Sequence, residues 1–146
     1  MRKIVMGSAI AVIGLVLTML TAGVLTSNQA PRSSEILSGA NIGIYTDSAC
    51  NTNCTSVNAG EISPGTSKTY TIYVKNTGTA PMTLSMITSE WNPTSASGPI
   101  TLTWNREDYS LTAGASISAT LTLTVSSAIS TSINAFSFDI AITGTE

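Results

Sequence analysis

The chain contains no histidine, and only 10% of its 146 residues are charged. Without an imidazole, Ser-His-Asp triads and HExxH metalloproteases are excluded, because both use histidine as a base or a metal ligand. The sequence also lacks a G-x-S-x-G elbow, a phosphate-binding loop and a dinucleotide-binding glycine pattern. We therefore predict that the protein is not an enzyme and has no catalytic residues, no cofactor and no bound metal.

Positive charge is also scarce. Of the six basic residues, Arg2 and Lys3 lie at the N-terminus, which leaves four against the eight acidic residues of the rest of the chain. Nucleic-acid binding needs a clustered basic face, so we predict no nucleic-acid partner. The densest charge cluster is residues 105–108, interpreted as a solvated hairpin end. Calcium takes about six to eight oxygen ligands, and the neighbours Glu107 and Asp108 are a poor acid/base pair.

The longest apolar run of the chain lies at its N-terminus. After Met1-Arg2-Lys3, no charge occurs from Ile4 to Leu25. As a helix, its roughly 22 residues would span about 33 Å, enough to cross a bilayer core of ~30 Å. We predict that residues 1–26 are a transmembrane anchor or a signal segment, with the C-terminal part outside the cell.

Three fates of this segment stay open. An uncleaved anchor would make a single-pass membrane protein that contacts the membrane through residues 4–25. Cleavage after a small-x-small end near Thr21-Ala22-Gly23 would release a secreted protein. A prepilin-type cut near Gly7 would leave the apolar helix as a filament core. Residues 27–36 follow as a flexible stalk rich in serine, and residues 37–146 form the extracellular domain.

The domain is dominated by strand patterns with a period of two. In Thr69–Lys75 and in Ile117–Val125, mostly apolar and mostly polar positions alternate, which is typical of half-buried strands. The turns Ser63-Pro64-Gly65 and Ala113-Gly114 precede these strands, and Asn76-Thr77-Gly78 offers residues that tolerate positive φ. A short edge strand is predicted over Val57–Ile62.

We predict an all-β fold, an antiparallel two-sheet immunoglobulin-like or jelly-roll-like sandwich of about seven strands preceded by one N-terminal hydrophobic helix. The core is expected to contain the inward positions of these strands. They are Ile42, Ile44, Tyr70, Ile72, Val74, Leu84, Leu102, Leu121, Leu123, Phe136, Phe138 and Ile140.

The two cysteines, Cys50 and Cys54, are separated by three residues in the most loop-like run of the chain. In an exported chain such a pair is predicted to form a structural disulfide that pins a turn. A zinc site would need about four ligands, and a redox motif would need two intervening residues. Asn53-Cys54-Thr55 also matches the N-glycosylation pattern, so Asn53 is a candidate acceptor.

Aromatic side chains are few, at 5% of the chain. Trp91, Trp104, Tyr45 and Tyr73 could form a sugar-stacking surface, and packing in the core or under loops is the favoured alternative. The final strand, Ile133 to Thr143, is long and terminal. It could close its own sheet or pair with a neighbouring molecule.

The stretch from Ser63-Pro-Gly through Thr71-Ile-Tyr-Val-Lys-Asn-Thr-Gly78 to Pro81-Met-Thr-Leu84 resembles the P-G-x…V-x-N-x-G strand pair of small immunoglobulin-like modules. With Gly43 to Cys50, Glu90-Trp-Asn-Pro93 and Phe136 to Gly144, residues 37–146 resemble a group of archaeal membrane-tethered surface proteins. These are distantly similar to TasA/camelysin-type fibre proteins of biofilm matrices. The resemblance implies an extracellular sandwich, and for the fibre-forming relatives it implies assembly by strand exchange.

Two functions follow as hypotheses. The first is a non-enzymatic cell-surface sandwich with an envelope or adhesion role, tethered by its N-terminal helix, whose partners are other surface proteins or further copies of itself. The second is a subunit of an extracellular filament that assembles by strand exchange or helix packing.

Overall fold

The computed structural model describes residues 13–20, 24–26, 40–133 and 135–146. Its regular elements are strands and one short 3-10 helix, so the predicted all-β class is confirmed for this part of the chain. The strands are β1 (Ile13–Leu20), β2 (Val24–Thr26), β3 (Ile42–Tyr45), β4 (Ser67–Asn76), β5 (Met82–Asn92), β6 (Ile100–Trp104), β7 (Ser110–Leu111), β8 (Ser116–Val125) and β9 (Ala135–Thr145), and the 3-10 helix is η1 (Thr94–Ala96).

One antiparallel sheet has four strands in the order β3-β4-β8-β6. The central pair β4 and β8 is in register over its whole length, with Tyr70 opposite Leu121 and Val74 opposite Ile117 on the inner face. On the outer face, Thr71 lies opposite Thr120. The alternation in the sequence therefore corresponds to the two faces of this sheet, because successive side chains of a strand point in opposite directions.

The second antiparallel sheet contains β9, β5 and β7, in that order, and β1 and β2 extend it at the edge of β9. Met86 of β5 lies opposite Ile142 of β9, and the register shifts between Ser89 and Asn92. Glu90, inside this irregularity, has a φ of 51°. A bulge of this kind bends the strand and increases its local twist.

The inner faces of the two sheets share one buried core, which makes the fold β-sandwich-like. Every residue of the predicted core lies in it, with Tyr70 and Leu102 partly buried. Leu84, Leu121 and Leu123 are completely inaccessible to solvent. Full burial of each such side chain contributes about 1.5–3 kcal/mol, so the core supplies most of the favourable free energy of folding.

At Gly144 of β9 the two sheets approach closely. A Cβ atom there would lie 2.8 Å from Sδ of Met82 and 3.0 Å from Cδ1 of Ile42, which belongs to the opposite sheet. Glycine at this position lets the end of β9 pass under β3, because any larger residue would push the two sheets apart.

Two similar turns precede the strands β4 and β8 and hydrogen-bond them together at their ends. Before β4, the Thr66 amide donates to the Ser63 carbonyl across Pro64-Gly65, where Gly65 has a φ of 76°. Before β8, the Ala115 amide donates to the Thr112 carbonyl across a glycine with a φ of 73°. Each turn also bonds to the far end of the other strand, at Val125 and at Asn76 respectively. These contacts confirm the two predicted turns and close both ends of the strand pair.

Asn76 differs from the sequence prediction. It does not adopt positive φ and is instead the buried polar residue of the core, with no solvent exposure. Its side-chain amide donates to the carbonyls of Ala80 and Leu111 at 2.8 and 3.0 Å, and its Oδ1 accepts from the Gly78 amide at 2.8 Å. Asparagine is favoured because it has both donors and an acceptor at one position.

The predicted edge strand over Val57–Ile62 is wrong. The segment is irregular, and Val57, Ala59 and Ile62 are buried against the core. The carbonyl of Ala59 accepts hydrogen bonds from Nζ of Lys68 and from the Tyr70 hydroxyl, at 2.8 and 3.3 Å. Side chains of β4 therefore replace the strand ladder that the segment would otherwise need.

In the described residues of the N-terminal hydrophobic run, 13–20 and 24–26, the backbone is extended as strands β1 and β2. The predicted helix over the run stays a prediction, because the rest of the run lies outside the described residues. An apolar run rich in Ile, Val, Leu and Thr is compatible with either conformation, and the edge of β9 offers it backbone partners. No helix long and apolar enough to cross a membrane occurs among the described residues. The rest of segment 1–26 and the predicted stalk at 27–36 lie outside the described residues.

Candidate functional site

The loop from Thr46 to Cys54 follows β3 and contains the site residues predicted from sequence. Asp47 organises it, because its carboxylate accepts the amide of Asn51 at 3.2 Å and the amide of Thr52 at 2.7 Å. These two backbone hydrogen bonds, the Asn51 bond first, lower the pKa of Asp47 below its ordinary value. Asp47 thus stabilises the loop as an anion that is paired with backbone donors.

The predicted disulfide is not formed, and both cysteines are free thiols. Cys54 is 3% exposed and belongs to the core, with its Sγ 3.7 Å from the Ser56 carbonyl. Cys50 lies on the turn with a φ of 55°, and its Sγ faces the Ser48 carbonyl at 4.0 Å. The Asp47 carboxylate therefore closes this loop where the sequence predicted a covalent bond, and burial raises the pKa of the Cys54 thiol.

Asn53, the predicted glycosylation acceptor, is exposed and lies beside β3. It forms an antiparallel bridge with Tyr45. On either side of it, the Cys54 amide donates to the Ile44 carbonyl and the Thr46 amide donates to the Thr52 carbonyl, both at 2.9 Å. The loop thereby returns along the outer edge of the four-stranded sheet, with Asn53 facing solvent.

The charge cluster at 105–108 folds over β5. Glu107 accepts hydrogen bonds from the Ser85 hydroxyl at 2.7 Å, the Met86 amide at 3.1 Å and Nε1 of Trp104 at 2.6 Å. The Ser85 and Trp104 bonds are the main cause of a lowered pKa of Glu107. Its carboxylate therefore occupies a backbone donor on β5 and connects the two sheets, which is a structural role.

Neighbours of Glu107 are also engaged. The Asp108 amide donates to the Leu84 carbonyl at 2.9 Å. Nε of Arg106 donates to the Ser118 carbonyl at 2.8 Å, and the guanidinium lies 5.3 Å from the centre of the Tyr109 ring. The described residues contain no group of three or more acidic or sulfur side chains placed to hold a metal ion.

The four aromatic residues considered for sugar stacking do not form one surface. Trp91 stacks on Phe138 in the core, with ring centroids 4.1 Å apart. Tyr45 and Tyr73 are opposite each other on the outer face of the other sheet. The Tyr45 ring covers Gly43, where a Cβ atom would lie 2.5 Å from the Tyr45 hydroxyl oxygen. The tyrosine therefore shields strand backbone at a glycine.

The outer face of the four-stranded sheet is rich in hydroxyl groups. Outward positions of β4, β8 and β6 align in rows across the sheet and are all serine or threonine near its β6 side. The rows are Ser67, Thr124 and Thr101, followed by Thr69, Thr122 and Thr103. Threonine is β-branched and fits an exposed pleated surface, so the β6 side of this face is hydroxyl-rich and uncharged. Nearer β3 the same face has Tyr73 and Lys75.

The outer edge of β9 is the second candidate site. On one side β9 pairs with β5, and on the other its first part pairs with β1, from Ala135 opposite Thr18 to Ile140 opposite Ile13. β1 in turn pairs with β2. The edge of β9 therefore receives a strand that comes from the N-terminal hydrophobic segment, more than a hundred residues away in sequence.

Comparison with known proteins adds no relative: no protein family, no curated protein and no solved structure matches the chain. The interpretation of the site therefore depends on its geometry. Sequence reasoning missed the roles of Asn76 and Glu107. For Asn76 the available signal was an asparagine at the end of a strand whose inward positions are apolar.

Proposed function

We propose that the protein is a non-enzymatic β-sandwich domain of the cell surface, with a role in the envelope or in adhesion. The observation that carries this proposal is the hydroxyl-rich outer face of the four-stranded sheet, which presents rows of serine and threonine to solvent and has Lys75 near its β3 side. A hydroxyl-rich surface with little charge suits contact with other hydrated surface polymers. The uncharged segment Ile4 to Leu25 after Arg2 and Lys3 supports tethering to the membrane.

The hydrogen bonds made by the acidic side chains also support a structural role for the protein. Asp47 and Glu107, the two carboxylates with lowered pKa, both accept backbone hydrogen bonds from their own chain. We also infer that the strands of the sandwich have an immunoglobulin-like arrangement. Its support is the four-plus-three division of strands β3–β9 together with the resemblance of the 61–84 stretch to such modules.

Surface location is tested by brief protease treatment of intact cells that produce the full chain. We expect the domain to be degraded while a cytoplasmic marker protein survives. Deletion of the chain should then reduce adhesion or alter the cell envelope. A domain that survives protease on intact cells and is degraded only after lysis would contradict the proposal. Hydrolase assays with Glu107→Ala/Asp108→Ala as control test the non-enzymatic part, because activity that disappears in the double variant would contradict it.

A filament subunit is the second candidate. It is favoured by the pairing of β1 with the edge of β9, since the same edge could take the corresponding strand of a neighbouring copy. Electron microscopy of the purified full chain at high concentration tests this function. Fibres that are lost in Val16→Pro and kept in Val16→Ala would support it, because proline cannot donate a ladder hydrogen bond. Strictly monomeric particles would contradict it.

A further inference from the structure

We propose that Asn53 carries an N-linked glycan and that this glycan shields the outer edge of β3. The proposal rests on the export that the proposed function includes. Asn53-Cys54-Thr55 is the one N-x-S/T sequence in the chain whose middle residue is not proline. The pattern marks an acceptor in an exported protein, and the structure of this loop supplies the accessibility that the pattern alone does not.

The side chains of the motif are arranged for modification. Asn53 and Thr55 are exposed, whereas Cys54 between them is buried. Alternation along an extended segment therefore directs the amide and the hydroxyl outward together and the thiol inward. Within the described residues neither the Asn53 nor the Thr55 side chain makes a hydrogen bond. No side-chain hydrogen bond has to be broken when a transferase binds them.

The free thiol of Cys54 removes an obstacle to this modification. A disulfide from Cys54 to Cys50 would hold the loop in a closed ring, but both thiols are free in this structure. The backbone contacts of the motif are the Tyr45–Asn53 bridge and the bond from the Cys54 amide to the Ile44 carbonyl. Both contacts attach the motif to the edge strand β3, so local opening of this loop is enough to release the motif for a transferase.

The chemistry is a glycosyl transfer from a lipid-linked phosphate sugar. The bond between the anomeric carbon of the first sugar and the phosphate oxygen breaks, and a bond from that carbon to the Asn53 side-chain nitrogen forms. The amide loses one proton to the transferase, and the lipid phosphate leaves with the bonding electrons. No oxidant or reductant is required.

The position of Asn53 gives the glycan a structural consequence. β3 is the edge strand of the four-stranded sheet, and the segment with Asn53 covers only its C-terminal end. Unpaired edge strands invite pairing with other chains, and proteins protect them with bulky or charged groups. A hydrated glycan beside Tyr45 would keep a second strand away from β3 while leaving the edge of β9 on the other sheet unaffected.

The test uses the full chain purified from the cells that produce it. Trypsin should release residues 33–68, between Arg32 and Lys68, as a peptide that contains this one sequon. Mass spectrometry should find a sugar mass on that peptide. The mass should disappear in Asn53→Gln and Thr55→Val, and it should remain in Thr55→Ser. Asn51→Gln, an exposed asparagine two positions away, is the matched control and should keep the mass.

Protease treatment of intact cells separates this proposal from the proposed function. A domain that is exposed on the cell but carries an unmodified 33–68 peptide would overturn the glycan alone. A domain that never reaches the surface would overturn both. For the shielding role, sedimentation of Asn53→Gln should show more self-association than Asn51→Gln at equal concentration. Equal sedimentation of the two variants would refute shielding.

Discussion

Asn76 offers the sharpest test of how this fold is held together. Its side chain is fully buried and bonds to three backbone groups, at Ala80, Leu111 and Gly78. Asn76→Ala removes all three partners at once and leaves a small cavity. The chain segments that these bonds connect are the turn after β4 and strand β7, so the substitution should loosen one end of the sandwich.

The expected magnitude follows from the burial of each bond. The Leu111 carbonyl is the buried partner, and an unsatisfied buried group costs about 1–3 kcal/mol. The Ala80 and Gly78 groups are only partly buried and can recover water, so each contributes about 0.5–1.5 kcal/mol. We expect Asn76→Ala to lower the free energy of unfolding by about 3 kcal/mol. With a urea m-value of about 2 kcal/mol/M, the midpoint should fall by about 1.5 M.

The measurement is urea unfolding of the full chain in mild detergent, followed by tryptophan fluorescence. Asn58→Ala is the matched control, since its side chain makes one exposed bond, from the Gly60 amide at 2.8 Å. It should cost less than about 1 kcal/mol. If Asn76→Ala shifts the midpoint no more than Asn58→Ala does, the buried hydrogen bonds of Asn76 do not stabilise the turn.

Asn76→Asp extends the same test to pH. The carboxylate keeps the size of the amide but loses both N–H donors and places a charge in the core. Burial disfavours the charged form and raises the pKa of such a carboxyl. The variant should therefore be most destabilised at neutral pH and partly recover in acid, when the group is protonated. Equal destabilisation at both pH values would contradict burial of the charge.

Three further predictions concern other contacts. Glu107→Gln should lower the free energy of unfolding by less than about 1 kcal/mol at neutral pH, because the side chain is exposed. The pKa of Glu107 is lowered in the folded state, so its contribution to stability is complete above the unfolded pKa and is lost as the pH falls through the folded pKa. A wild-type advantage that persists in strong acid would contradict a role for the Glu107 hydrogen bonds. Gly144→Val should destabilise the fold by several kcal/mol, because its side chain would clash with Met82 and Ile42. Gly98→Ala is the control: its Cβ would meet nothing within 4 Å, so only the positive φ should cost stability, about 1 kcal/mol. Equal urea midpoints for the two variants would exclude a close approach of the sheets at Gly144. Iodoacetamide should label Cys50 first and Cys54 only on unfolding, because Cys54 is buried and its thiol pKa is raised. Labelling is measured by intact mass. A mass that shows no label on either thiol would contradict free cysteines.

Much of the fold follows from the sequence alone. The period of two in Ser116–Val125 defines which side chains face the core, since a strand has only two faces. The proline and glycine at Ser63–Thr66 define a turn, because their φ preferences suit its two corners. Class, core positions and several strand bounds depend on such local rules, and these predictions are confirmed.

The tertiary structure decided what depends on a partner far away in the chain. Val57–Ile62 has strand-like residues, but side chains of β4 satisfy its Ala59 carbonyl, so no ladder forms. Cys54 has the spacing for a disulfide, yet the core takes its side chain. Hydrophobic residues 13–20 can be helix or strand, and the edge of β9 provides the backbone groups that pair with them as a strand.

The same division applies to the candidate sites. Asn53 was visible as a sequence pattern, because the acceptor motif is local. That its side chain is exposed beside the edge of β3, while Cys54 is buried, depended on how the loop returns along the sheet. Sequence alone therefore determined the alternating faces and the turns of this protein. Which edges are open and which polar groups are buried depended on contacts between distant segments, which only the folded chain brings together.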